Sequence, residues 1–228
     1  MSRVYLIRHG QAGLRQNYDT LSPLGERQAT LLKDWFRREG ITLNRVYSGS
    51  LARQVATARL GAGEPEVDLR LNEFDLDIVY QSLAPVLREK DADFRSEYDA
   101  MLEAIKAHDA PVHRQWNSCD VKVFQAWYAG SHPVEGESWQ EFKSRALSAL
   151  DLIRATVDGE HVAVFTSGTP IGLLVSSVFD ATDGHAMKLA GACYNCSVTT
   201  LRVRDGDVRL MGFNSIAHLA DPALRSFR

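Results

Sequence analysis

Three short segments of the chain carry side-chain types that together suit anion chemistry: Arg8-His9-Gly10, Ser48 with Arg53 about one helical turn further on, and Ser167-Gly168-Thr169. An arginine offers a planar fork of donors that meets a phosphate or a carboxylate at two points. Two arginines flanking one imidazole describe an anion site with a nucleophile inside it. Gly10 and Gly168 would let the backbone approach a ligand closely. The plainer reading has Arg8 and His9 closing a strand, Arg53 on a helix surface and Ser167 as a turn residue. The three cysteines are Cys119, Cys193 and Cys196. Cys193 and Cys196 have the CxxC spacing, but no second pair accompanies them and a β-like run follows, so buried thiols are expected rather than a zinc or redox site.

Each of the three segments follows a short apolar or β-branched run, at residues 4–7, 45–47 and 161–166. Helical patterns lie between them. Ser22-Pro23 reads as a cap with proline at the first helical position, opening a helix that carries Leu32, Trp35 and Phe36 and stops at Gly40. A second helix is expected over residues 51–60, ended by Gly61 and Gly63. Residues 69–73 read as extended. Ser138-Trp139-Gln140-Glu141 is a capping box opening one long helix, with a stripe from Phe142 to Val157. The run after Ser167 turns into a helix with Thr169 as its cap and Ile171, Leu174, Val175 and Val178 inward. Asp205-Gly206 is a two-residue turn signal between strands at 197–204 and 208–213.

Strands alternating with amphipathic helices predict an α/β fold: a three-layer sandwich whose mixed sheet is mostly parallel, with helices on both faces and an antiparallel edge. In such sheets ligands sit beyond the carboxyl ends of the strands, where the three polar segments fall. The helices after Tyr47 and Thr166 would add backbone donors for the same anion. Residues 84–130 differ in character, being charged, helix-prone and aromatic. They read as a helical cap inserted into a single domain spanning 1–228. Phe94, Tyr98, Met101, Leu102 and Ile105 keep helical spacing there, and Trp116, Trp127 and Tyr128 read as its packing.

Composition narrows the partners. The chain has 228 residues, 45% hydrophobic and 24% charged, which excludes a disordered or fibrous protein. With 26 basic against 29 acidic residues the net charge is −3, unlike a dedicated nucleic-acid binder. No apolar run reaches the length of a membrane span. The N-terminal apolar stretch returns to charge at Arg8, unlike a signal peptide, and a cytoplasmic location is expected.

Leu6-Ile7-Arg8-His9-Gly10 resembles the signature of the histidine phosphatase superfamily, the phosphoglycerate mutase-like proteins. Further segments resemble that family in order: Tyr47-Ser48-Gly49-Ser50-Leu51-Ala52-Arg53 with Thr57-Ala58, Leu71-Asn72-Glu73, Glu135-Gly136-Glu137-Ser138 with Arg145, Tyr194-Asn195-Cys196-Ser197, and residues 214–219. Several ordered segments at sensible spacing are far more specific than one Arg-His-Gly.

The resemblance implies a metal-independent, cofactor-free phosphatase acting on a small phosphorylated substrate. His9 would become a phosphohistidine, Arg8 and Arg53 would clamp the phosphoryl oxygens, and Glu73 would protonate the leaving oxygen and then activate water. Gly10, Arg15, Asn17, Ser167 and Gly168 are candidate phosphate contacts. One position departs from the family, which places a second histidine where this chain has Ser167. Serine donates one hydrogen bond but carries no charge, and losing a charged donor costs on the order of 3 kcal/mol of barrier. Slow hydrolysis is therefore expected, and the alternative is a weakened phosphate-binding or regulatory module. His132 and His161 are the other histidines weighed as substitutes, with His161 at the wrong end of its strand. A phosphoglycerate-type mutase is less favoured, since no extra basic cluster is seen for a bisphosphate.

Overall fold

In the computed structural model, residues 2–14, 17–107 and 117–227 are described; Arg15 and Trp116, both singled out in the sequence, lie outside them. The chain divides into two units, the first comprising Met1–Glu73 with Arg145–Arg228, the second Phe74–Ser144.

The first unit is built on a sheet of six strands. In chain order it contains β1 (Ser2–Arg8), α1 (Pro23–Arg38), β2 (Arg45–Ser48), α2 (Ala52–Gly61) and β3 (Glu66–Val67). The sheet order is β3-β2-β4-β1-β5-β6, where β4 is His161–Thr166, β5 Val198–Arg204 and β6 Asp207–Ser215. The first four of these strands run parallel, and β5 and β6 add an antiparallel edge. Alternation along the central strands sends side chains to opposite faces. Val4, Leu6, Val162 and Val164 belong to a cluster with Ile171, Leu174 and Val175, whereas Tyr5, Ile7, Ala163 and Phe165 pack with Ala29, Leu32 and Phe36. Helices therefore cover both faces, as the α/β expectation required.

Local chemistry accounts for the boundaries. The Ser22 side chain accepts from the Gly25 amide, with Pro23 opening α1. Asp205 and Gly206 both take positive φ, +52° and +77°, the geometry of a two-residue hairpin turn. Four expectations need correction. Residues 69–71 form a 3-10 turn rather than a strand, because the Asp68 side chain accepts from the Arg70 amide. The helix opened by Ser138 is interrupted: Trp139–Ser148 and Leu150–Arg154 are separate, with the Ala149 amide donating back three residues to Ala146. Val157, expected at the end of its stripe, is 63% exposed. The cap of the helix Gly168–Ser177 is Ser167, not Thr169.

The second unit contains helices Leu76–Lys90, Ala92–Lys106 and Ser118–Tyr128. Phe74, Phe124, Trp127, Trp139 and Phe142 form a ring cluster with edge and tilted contacts. The Trp127 indole N–H donates to the Glu137 carbonyl at 2.8 Å. Trp127 therefore packs internally, as expected of these aromatics. Among the described residues no helix is long and apolar enough to cross a membrane.

Candidate active site

The ladder registers bring the three polar segments together within the first unit. Arg8 lies opposite Thr166 on the neighbouring strand, and Ser48 lies opposite Phe165. Ser48, Arg8 and Ser167 are thus presented at the carboxyl ends of adjacent parallel strands. His9 follows β1, and its backbone is tied on both sides. Its N–H donates to the Thr166 carbonyl, and its own carbonyl accepts from the Cys196 amide and from Asn195 Nδ2.

His9 is only 2% exposed. Its Nδ1 lies 2.8 Å from the Gly10 carbonyl oxygen. A carbonyl only accepts, so Nδ1 carries the proton and Nε2 keeps its lone pair. Arg53 Nε donates to that Nε2 at 3.3 Å. Burial first, then the charges of Arg53 and Arg8, hold the imidazole well below its ordinary pKa of 6.5; the Gly10 bond opposes them. His9 is accordingly a neutral base at pH 7, aimed through Nε2. Its Cε1–H signal is expected to show no titration step near pH 6.5, checked by NMR with a His9→Asn variant for assignment; a midpoint at 6.5 would refute the depressed basicity. The same shift has a stability sign. The unfolded imidazole binds a proton below about pH 6.5 and the folded one does not, so this contribution to stability falls as the pH drops through that value.

Arg53 is almost buried, and three groups besides His9 fix it. Its Nη1 pairs with Asp19 at 2.8 Å, its guanidinium carbon lies 4.8 Å from the Tyr18 ring centroid, and the Thr57 hydroxyl donates to its carbonyl. Asp19 also accepts from the amides of Ala52 and Arg53. It thereby caps α2, whose own cap position is Leu51, with no side-chain bond to offer. Asp19 and Tyr18 were not foreseen; the signal was the apolar residue at that cap, which requires an acceptor from elsewhere. Arg8 donates through Nη1 to the Cys193 carbonyl, while its Nε is buried with no partner among the described residues. A buried unsatisfied guanidinium N–H is costly unless an acceptor arrives.

Glu73 receives the Thr169 amide on its Oε2 at 3.2 Å, at the first turn of the helix Gly168–Ser177. The two helix N-termini expected to meet an anion thus meet carboxylates of the chain itself, Asp19 and Glu73. Ser167 is 1% exposed, and its Oγ accepts from Gln54 Nε2 at 2.8 Å. Gly168 lies close to the Ala190 carbonyl, and a Cβ there would stand 3.8 Å from Arg8 Nε.

The remaining candidates sit differently. The Gly10 amide donates to Thr57 Oγ1, and a Cβ on Gly10 would fall 2.6 Å from the Gly25 carbonyl oxygen. Its smallness lets the loop pass the start of α1. Gly10→Ala is expected to lower the unfolding free energy in urea by about 1–3 kcal/mol, the range for overpacking. Asn17 is exposed, and its backbone closes turns with Leu14 and Thr20. His161 opens β4 at the end opposite Ser167, with Nδ1 2.9 Å from the Tyr5 hydroxyl, and does not replace the missing histidine. His132 lies in the second unit. The thiols of Cys193 and Cys196 are buried, the first raised to about 11 by burial and the second raised further; neither is a thiolate at neutral pH.

Comparison with known proteins agrees with this fold. The chain is 26% identical over 240 residues to a protein named "Probable phosphoglycerate mutase GpmB" from Shigella boydii serotype 18, covering 98% of each. Among solved structures it resembles Bacillus stearothermophilus YhfR, at 21% identity and a TM-score of 0.64, covering 96% of this chain and 99% of that one. It also resembles phosphoserine phosphatase from Entamoeba histolytica in complex with 3-phosphoglyceric acid, at 20% identity and a TM-score of 0.61, covering 96% and 100%. The model of the histidine phosphatase superfamily (branch 1) matches residues 4–117 and 112–216, which take in Arg8, His9, Arg53 and Glu73; to that superfamily the chain belongs.

Proposed function

We propose that the chain is a phosphatase that hydrolyses a small phosphomonoester through a phosphohistidine on His9. The observation that carries the reading is the state of that imidazole: buried, neutral, with Nδ1–H held by the Gly10 carbonyl and the Nε2 lone pair flanked by a guanidinium.

In the first half-reaction His9 Nε2 forms a bond to phosphorus while the bond from phosphorus to the ester oxygen breaks. Glu73 gives its proton to the departing oxygen. Arg8 and Arg53 hold the equatorial oxygens, where transition-state charge gathers, and the orphaned Arg8 Nε–H gains its acceptor. Arg53 Nε must turn from Nε2 to a phosphoryl oxygen as the bond forms. In the second half-reaction Glu73 takes a proton from water, the water oxygen bonds to phosphorus, and the bond to Nε2 breaks. The protons balance, and inorganic phosphate leaves. Gly10, Arg15, Asn17 and Gly168 complete the phosphate loop in this reading, with Ser167 as a neutral donor in place of an imidazolium.

The relatives favour small phosphorylated acids as substrates. One is named a probable phosphoglycerate mutase, and another is a phosphoserine phosphatase with 3-phosphoglyceric acid bound. We place substrate choice in the helical insertion, expected at residues 84–130, because the segments that resemble the superfamily fall in the rest of the chain and leave the insertion as the segment that differs. A second reading, a phosphate-binding or regulatory module, is favoured by Ser167. Labelling separates the two. Rapid acid-free quenching with a phosphoryl donor is expected to leave base-stable, acid-labile phosphate on His9. Phosphate binding without any such label would select the module.

A further inference from the structure

Ser167 stands where the family places a second histidine, and Gln54 is hydrogen-bonded to it. Gln54 follows Arg53 on α2 and is fully buried. Its Nε2 lies 3.2 Å from the Leu71 carbonyl oxygen and 2.8 Å from Ser167 Oγ. The carbonyl only accepts, which settles the orientation of the amide: nitrogen faces both partners, and its two hydrogens are both spent. Ser167 Oγ is therefore an acceptor from Gln54. Its own single proton is directed elsewhere, and it makes no cap bond to its helix. Ser167 sits at the end of β4, between the strands that lead to His9 and to Arg53, and a Cβ on the next residue, Gly168, would stand 3.8 Å from Arg8 Nε.

Gly49 makes room for this arrangement. A Cβ there would fall 2.0 Å from Gln54 Oε1 and 2.6 Å from Asn72 Oδ1. Gln54 Oε1 is itself buried without a partner among the described residues. The chain thus tolerates an orphaned acceptor in order to hold the amide nitrogen on Ser167, a cost that serine alone, as a turn residue, would not require.

We propose that Gln54 is a positioning residue that turns the Ser167 hydroxyl into a donor to a phosphoryl oxygen, so that the pair occupies the role of one imidazolium. Accepting a hydrogen bond polarises the O–H and makes it a stronger donor. The proposal rests on the phosphate site described above. It holds whether the bound phosphoryl group is transferred or only held.

The test is a double-mutant cycle with Ser167→Ala and Gln54→Met, both uncharged and close in volume, read by the dissociation constants of vanadate and inorganic phosphate and by kcat and KM for p-nitrophenyl phosphate. Each single variant is expected to bind vanadate about tenfold more weakly, with kcat reduced and KM little changed, as for loss of one hydrogen-bond donor. The double variant is expected to be no worse than the weaker single one, since Gln54 acts only through Ser167. Wild-type vanadate affinity in Ser167→Ala overturns the proposal. So does a further loss when Gln54→Met is added to Ser167→Ala, which is what a merely structural glutamine would give. Should Gln54→Met fail to fold, Gln54→Leu takes its place in the cycle, and wild-type vanadate affinity in Ser167→Ala overturns the proposal in either case. A wild-type protein that binds neither anion overturns the phosphate site itself, a result distinct from a bound anion indifferent to Ser167.

Discussion

Arg53→Ala is expected to reduce turnover by about a thousandfold and to remove measurable vanadate binding, for reasons that can be read atom by atom. A guanidinium at this position makes a fixed two-sided contact, Nε on His9 and Nη1 on Asp19, with one face on Tyr18. Its orientation is set before any ligand arrives, so little ordering remains to be done when charge develops on the phosphoryl oxygens. Arg53→Lys should restore only part of the loss, because an ammonium lacks the fork that spans two oxygens. A second readout separates the clamp from general damage. Arg53 is, after burial, the largest of the influences that depress His9, so in Arg53→Ala the imidazole should titrate at a higher pH than in the wild type while remaining below an exposed histidine. Retained vanadate affinity would sink the assignment. So would a lost affinity with an unmoved His9, which would mean that the arginine is not beside the nucleophile in solution.

Much of this site was legible because its residues occupy positions where chain geometry leaves few alternatives. A strand that ends in Arg8-His9, parallel to one ending in Thr166-Ser167, must deliver both to the same edge of the sheet. The alternation of Val4, Tyr5, Leu6 and Ile7 likewise dictated two buried faces, and Asp205-Gly206 dictated the hairpin. What escaped was supplied by residues distant in sequence with no pattern of their own. Asp19 acts on α2 from a loop, and only the unsuited Leu51 at the cap hints at it. Gln54 is polar on a buried helix face, where an apolar stripe would be looked for. The helix Asp183–Ala192 escaped because it packs through small residues rather than a stripe: a Cβ on Gly172 would meet the Ala186 carbonyl at 2.2 Å. The hydrogen bonds of Asn195 link His9 to Ser226, near the far end of the chain, an arrangement no local signal carries.

Glu73→Gln is expected to separate the two proposed half-reactions, with an effect as large as that of the arginine. Glutamine keeps an oxygen for the Thr169 amide, so the side chain stays in place while its proton chemistry is lost. Alkyl phosphates, whose alkoxide leaves poorly without a proton, should lose about 10²–10⁴ in rate. p-Nitrophenyl phosphate should behave otherwise. Nitrophenolate departs unprotonated, so the first half-reaction should proceed at close to its normal rate. The second half-reaction still needs a base for water, and the phosphohistidine should accumulate. A stopped-flow trace is then expected to show a burst of nitrophenolate near one equivalent per active site, followed by slow turnover, with the label on His9 now long-lived. The neighbouring acid Asp75 is committed to capping its own helix through the amides of Asp77 and Ile78, and offers no ready replacement. Equal losses for both substrates, with no burst and no accumulated label, would remove Glu73 from the proton path and leave it a structural role.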